Sequence, residues 1–110
     1  MVTYVGVKMA NDIHLVRRVE RRARGVIRAT DLDTRRDLVN HSPAGMAWTE
    51  DAGAAQLALA ILADHTGDDG LAVRLHQAFK TRVVTGLPKV TWELRAEEVE
   101  LVVRELRDAR

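Results

Sequence analysis

Three groups of side chains in this 110-residue chain have the types that chemistry uses. His41-Ser42 sets an imidazole base beside a hydroxyl, the pair that acyl transfer through a serine requires. Adjacent residues seldom aim a base at a nucleophile, and neither a Gly-x-Ser-x-Gly elbow nor an oxyanion loop accompanies them. Asp64-His65 and His76 offer a carboxylate and two imidazoles to a metal, but without a spacing such as His-Glu-x-x-His. Glu97, Glu98 and Glu100 crowd three carboxylates onto a segment whose pattern is that of a solvated helix face. There is no P-loop, dinucleotide fingerprint or calcium loop, and the absence of cysteine removes thiol catalysis, disulfides and Cys-based zinc sites together. The expectation is a protein that is not an enzyme and needs no metal or cofactor.

Binding is what remains, and charge says where to look. Hydrophobic residues make up 46% of the chain and charged ones 30%, the balance of a globular domain, with a net charge of only +1. That sum hides an asymmetry: residues 1–28 hold seven Lys/Arg against Asp12 and Glu20, while residues 29–110 hold ten against fourteen Asp/Glu. Arg17, Arg18, Arg21, Arg22, Arg24 and Arg28 fall within twelve positions. They are the candidate binding residues, against the plainer reading of a solvated face.

The elements that would position these groups follow from hydrophobic period. Val2 to Met9 is rich in β-branched residues and precedes the turn pair Asn11-Asp12, which predicts a strand in which Gly6 marks a close backbone approach. From Ile13 onward alternation fails, because Arg17 and Arg21 share parity with Leu15 and Val19, so a strand would bury arginines on either face. At helical period Leu15, Val16, Val19, Ala23 and Val26 cluster opposite Arg17, Arg21, Arg24 and Arg28. A helix over 13–24 is therefore favoured, capped by Asp12 and stopped by Gly25, with a short strand over 25–30 and a β-hairpin as the alternative.

Residues 31–50 read as an ordered connection in which Asn40, His41, Ser42, Pro43, Gly45 and Trp48 form a structural turn. Asn40 and Ser42 would satisfy turn amides, His41 would bond locally, and Trp48, like Trp92, would anchor the core. Three helices follow, near 52–65, 69–85 and 95–109, with Asp51 as a possible cap, Gly67 and Gly86-Leu87-Pro88 as stops, and Trp92 and Leu94 as an apolar clasp before the last. Together these give one α+β domain over 1–110: a small N-terminal sheet, with a possible basic helix, packed on a three-helix C-terminal bundle.

The motifs also resemble a family. Tyr4-Val5-Gly6, the run Asp37 to Met46 with its Asn-His-Ser-Pro-x-Gly turn, Trp48, the Ala-Gln-Leu-Ala-Leu-Ala helix of Ala55 to Asp64, Gly67-Asp68, Phe79-Lys80, Leu87-Pro88 and Trp92-Glu93-Leu94 follow in order the pattern of small uncharacterised prokaryotic and phage proteins. The likeness lies mainly over 31–106. It implies a fold and no established activity. This chain departs from the pattern at Ala52-Gly53-Ala54, where Ser/Thr-Gly-Pro is usual, and in a longer, more basic 10–28 segment.

Two functions are then open. One is a small protein-interaction module, phage-derived and directed at a host protein through the Arg-rich surface. The other is a nucleic-acid-binding protein whose same arginines contact phosphates. No apolar run has bilayer or signal-peptide length, so a cytoplasmic protein with no membrane partner is expected, and a homo-oligomer is compatible with the composition.

Overall fold

Strand β1 (Val2–Lys8) turns back through residues 9–13 into β2 (His14–Arg21), a short 3-10 turn (Ala23–Gly25) follows, and β3 (Ile27–Asp31) completes a meander in this computed structural model. The structure describes residues 1–25 and 27–109. Helix α1 (Asp51–Thr66), helix α2 (Asp69–Arg82), a 3-10 turn (Val84–Gly86), strand β4 (Thr91–Arg95) and helix α3 (Ala96–Asp108) follow in that order. Strand β4 pairs with the free side of β1, so the antiparallel sheet has the order β3-β2-β1-β4. The architecture is α+β, a sheet packed on three helices, as expected; the fourth strand, contributed by Thr91–Arg95 between α2 and α3, was not among the expected elements.

The segment expected as a basic helix is instead the middle of a hairpin, which corrects the reading of 13–24. Asp12 does not cap a helix; its φ of +63° puts it in the left-handed turn between β1 and β2, where Asp is tolerated and an N-cap geometry is impossible. Gly25, expected as a helix stop, sits at φ +75° beside Arg24 at +70°, reversing the chain between β2 and β3. Val26, counted on the apolar side of that helix and in the strand at 25–30, lies outside the described residues, as does Arg110. The objection that a strand would bury arginines fails for a physical reason. Among the described residues helices cover only one face of the sheet, so Arg17 and Arg21 point to solvent, and Arg18 finds an acid on the covered side.

On that covered face Tyr4, Val16, Trp92 and Leu94 are buried against the helices. A side chain at Gly6 would run into the Trp92 indole, so the close approach expected there occurs. Trp92 and Leu94 lead into α3 as alternate inward residues of β4, pairing opposite Gly6 and Tyr4. Helix α1 is the centre of the molecule, buried continuously from Gly53 to Ala63. Its alanines at 54, 55, 58, 60 and 63 make this possible, since a helix enclosed on all sides must let its neighbours come close. Asp51 is not its cap; the N-cap position is Glu50, which makes no side-chain cap bond, and Asp51 pairs with Lys80 of α2. Gly67 (φ +65°) ends α1, and Asp68 caps α2 by accepting from the Leu71 amide at 3.0 Å.

Candidate interaction surface

The connection between the sheet and α1 is tied to that helix by one buried polar side chain. Gln56 is fully buried in α1, where its Nε2 donates to the Thr34 and Val39 carbonyls at 2.6 and 3.1 Å, and its Oε1 accepts the His41 amide at 2.8 Å and the Ser42 amide at 3.4 Å. The turn's amides are thus met by Gln56. Among the described residues the Asn40 and Ser42 side chains make none of these bonds, which corrects the expectation for both. Pro43 and Gly45 (φ +136°) shape the turn, and Trp48 is the core anchor expected, donating to the Pro88 carbonyl at 2.9 Å and meeting Trp92 edge-on.

His41 bonds across the molecule, not locally. Its Nε2 lies 2.9 Å from Nε2 of His76, whose Nδ1 faces the Val73 carbonyl at 2.6 Å. The Nδ1–H of His76 donates to that carbonyl, leaving its Nε2 lone pair for the His41 proton. Burial pushes the His41 pKa down, and His76 and Lys80 push it the same way, so the neutral His41 imidazole is favoured. Ser42 shares a cleft of about 280 Å³ with His14 and Glu50, but no hydrogen bond joins it to either among the described residues. Asp64, His65 and His76 go to three different partners. Asp64 takes Tyr4 and Arg18, His65 meets Glu100 at 2.7 Å, and His76 meets His41.

The six arginines do not form one stripe. Arg18 points to the helices and donates to Asp64 at 2.9 Å, alongside the Tyr4 hydroxyl at 2.7 Å. Burial and that bond to Asp64 hold the Tyr4 phenol well above its ordinary pKa, so it stays a donor. Arg22 pairs with Glu20 at 3.1 Å, while Arg24 and Arg28 are exposed at the hairpin end and on β3. Arg17 and Arg21 stand on the opposite, uncovered face of the sheet. There they flank an apolar surface that periodicity did not reveal: Val5 and Val7 of β1, Leu15 and Val19 of β2, and Ile27 and Ala29 of β3. Six of the exposed large hydrophobics, Met1, Val7, Met9, Ile13, Leu15 and Ile27, belong to this meander. The signal was in the sequence as the shared parity of Leu15, Arg17, Val19 and Arg21, which reads as an open sheet face once burial is dropped as a requirement.

The family model of unknown function DUF6166 matches residues 4–105, from β1 to the last turns of α3. The chain belongs to DUF6166. The match includes the basic hairpin, so the arginines lie within the span that defines DUF6166 rather than on an appendage to it. No curated protein and no solved structure matches the chain. Among the described residues no helix is long and apolar enough to cross a membrane.

Proposed function

We propose that this chain is a non-enzymatic protein-interaction module that binds through the outer face of its sheet. The observation that carries the reading is the composition of that face: aliphatic side chains at the centre, arginines beside them, and no helix covering it. An interface core is depleted in charge, enriched in Arg, and surrounded by a polar rim, and Arg17 and Arg21 stand beside the aliphatic residues in that manner. A patch of this kind on a small domain is the usual mark of a binding site.

Phosphate binding by the same arginines is the second reading, favoured by their crowding at one hairpin end. Single-stranded nucleic acid, however, stacks on aromatic platforms, and this face offers Val, Leu and Ile. Asp31 and Glu93 stand on it as well, and Asp31 lies 3.7 Å from Arg17. Catalysis by Ser42 lacks the bonded base that would activate it. For a chain of phage origin, as the motif resemblance implies, a host protein is one natural partner.

The experiment is affinity capture from a prokaryotic lysate with the purified chain as bait, with and without nuclease. A protein captured equally in both arms, and lost when Arg17 and Arg21 are changed to Glu, is the expected result. Capture abolished by nuclease would transfer the function to nucleic acid.

A further inference from the structure

The register of the sheet arranges the charges of its outer face in a way that fits one occupant in particular. Val5 pairs with Arg17 on one side and with Glu93 on the other, so Arg17, Val5 and Glu93 stand in one row across β2, β1 and β4. The flanking rows are Leu15, Val7 and Thr91 on one side and Val19, Thr3 and Arg95 on the other. All belong to the face left open by the helices. No ion pair of Glu93 occurs among the described residues, and Arg17 is half exposed, its side chain at 52%, with a single 3.7 Å contact to Asp31.

We infer that a second copy of this chain packs on this face, sheet against sheet, about a two-fold axis running along β1 through Val5. The inference rests on the protein-interaction reading and names its partner. Rotation about that axis carries β4 of one copy over β2 of the other. Arg17 then meets the partner's Glu93, Glu93 meets the partner's Arg17, and the two Val5 side chains meet between them. Facing sheets lie about 10 Å apart, a gap that an opposed arginine and glutamate span together.

The same charges reject two other ways of stacking. An axis across the strands through this row would set Arg17 on Arg17 and Glu93 on Glu93. Shifting the axis to lie between β1 and β2 would put Asp31, which pairs with Arg17 in register, over the partner's Glu93. Both juxtapose like charges at the centre of an interface, where they are least tolerated. The axis along β1 sets Arg17 and Glu93 on their opposites and also lays Val7 on Val7 and Thr3 on Thr3; an axis between β2 and β3 would instead set Arg17 on the partner's Asp31, but would carry Val5 and Val7 past the edge strand and out of the contact. An isologous contact of this kind closes on itself and yields a dimer.

The test is a charge exchange read by light scattering on a sizing column, with circular dichroism melts as the control for folding. The parent chain is expected to run with the mass of two chains at high micromolar concentration and to dissociate on dilution. R17E and E93R should each run as folded monomers, because each sets like charges opposite one another. The double variant R17E/E93R should recover the dimer, since the exchanged charges again face their opposites across the two-fold axis. Arg17 and Glu93 lie two strands apart within one chain, so restored pairing inside the monomer would not produce that recovery. A parent that is monomeric at every concentration overturns the inference, as does a dimer that both single variants leave intact. If the chain is monomeric yet captures a foreign protein through Arg17 and Arg21, the second copy is wrong and the broader interaction reading stands.

Discussion

Gln56 is the residue on which the connection depends, and its role follows from accounting for buried polar groups. Thr34 O, Val39 O and the amide of His41 all end on its carboxamide, in a buried stretch, Ala54 to Ala63, otherwise made of Ala, Leu and Ile. Gln56→Leu keeps the volume and removes every bond, leaving these backbone groups without partners in a place that water reaches poorly. Each such group costs about 1–3 kcal/mol, so a loss of about 3 kcal/mol or more in a denaturant melt is expected. Amide exchange over residues 34–42 should speed up more than exchange in α2. A variant with the parent's stability would mean that the connection is held by Leu32, Met46 and Trp48 alone. The sequence displayed this residue openly, as the one polar side chain inside an apolar run, but its partners are 14 to 22 residues away, where no local pattern reaches.

At the scale of elements, α1, α2 and α3 and the stop at Gly67 were legible, because a helix in contact with a core on one side, or enclosed on all, leaves its period or its composition in the residues; the second stop was not, since α2 ends at Arg82 and Gly86 closes a separate 3-10 turn. The β2 strand was not. Its sorting at 100° per residue was real, but the same residues also alternate if arginines are allowed on both faces, and whether they are depends on what covers each face. The helices cover one, and Asp64 at the far end of α1 supplies the acid that lets Arg18 stand there beside Tyr4. Arg18 and Arg17 should therefore behave as opposites despite adjacency. Arg18→Ala removes a charged hydrogen bond joining β2 to α1 and is expected to cost about 1–2 kcal/mol. Arg17→Ala touches an exposed, long contact and should stay within about 0.5 kcal/mol of the parent. Equal melts for the two variants would contradict the assignment of faces. The hairpin, on which this pairing depends, also demands its register, since a one-residue slip would exchange the two arginines between faces.

For the whole molecule, the charge asymmetry decides how binding should respond to salt. The +5 of residues 1–28 resides in the meander, and the acids of residues 29–110 are spread over the connection, the helices and strands β3 and β4, four of them paired with Lys80, Arg82, Arg95 and Arg104. On the proposed reading, an acidic partner would be steered to the meander, and the question is what the arginines would do once contact is made. Reversing Arg17, Arg21 and Arg24 to Glu should leave the thermal melt nearly unchanged, because all three are exposed, whereas including Arg18 should lower it. Against a phosphate ligand, each lost contact makes the log-log salt slope shallower by about one, so the triple reversal would flatten it by up to about three. Against a protein face, most of the affinity comes from Val5, Leu15 and Val19 excluded from water. The parent's binding should then weaken only modestly with salt, and Leu15→Asp should abolish it as fully as the three reversals do. Binding that survives Leu15→Asp but collapses with salt would place the phosphate reading first. Binding that survives both sets of changes would show that the open face of the sheet is a solvated surface and nothing more.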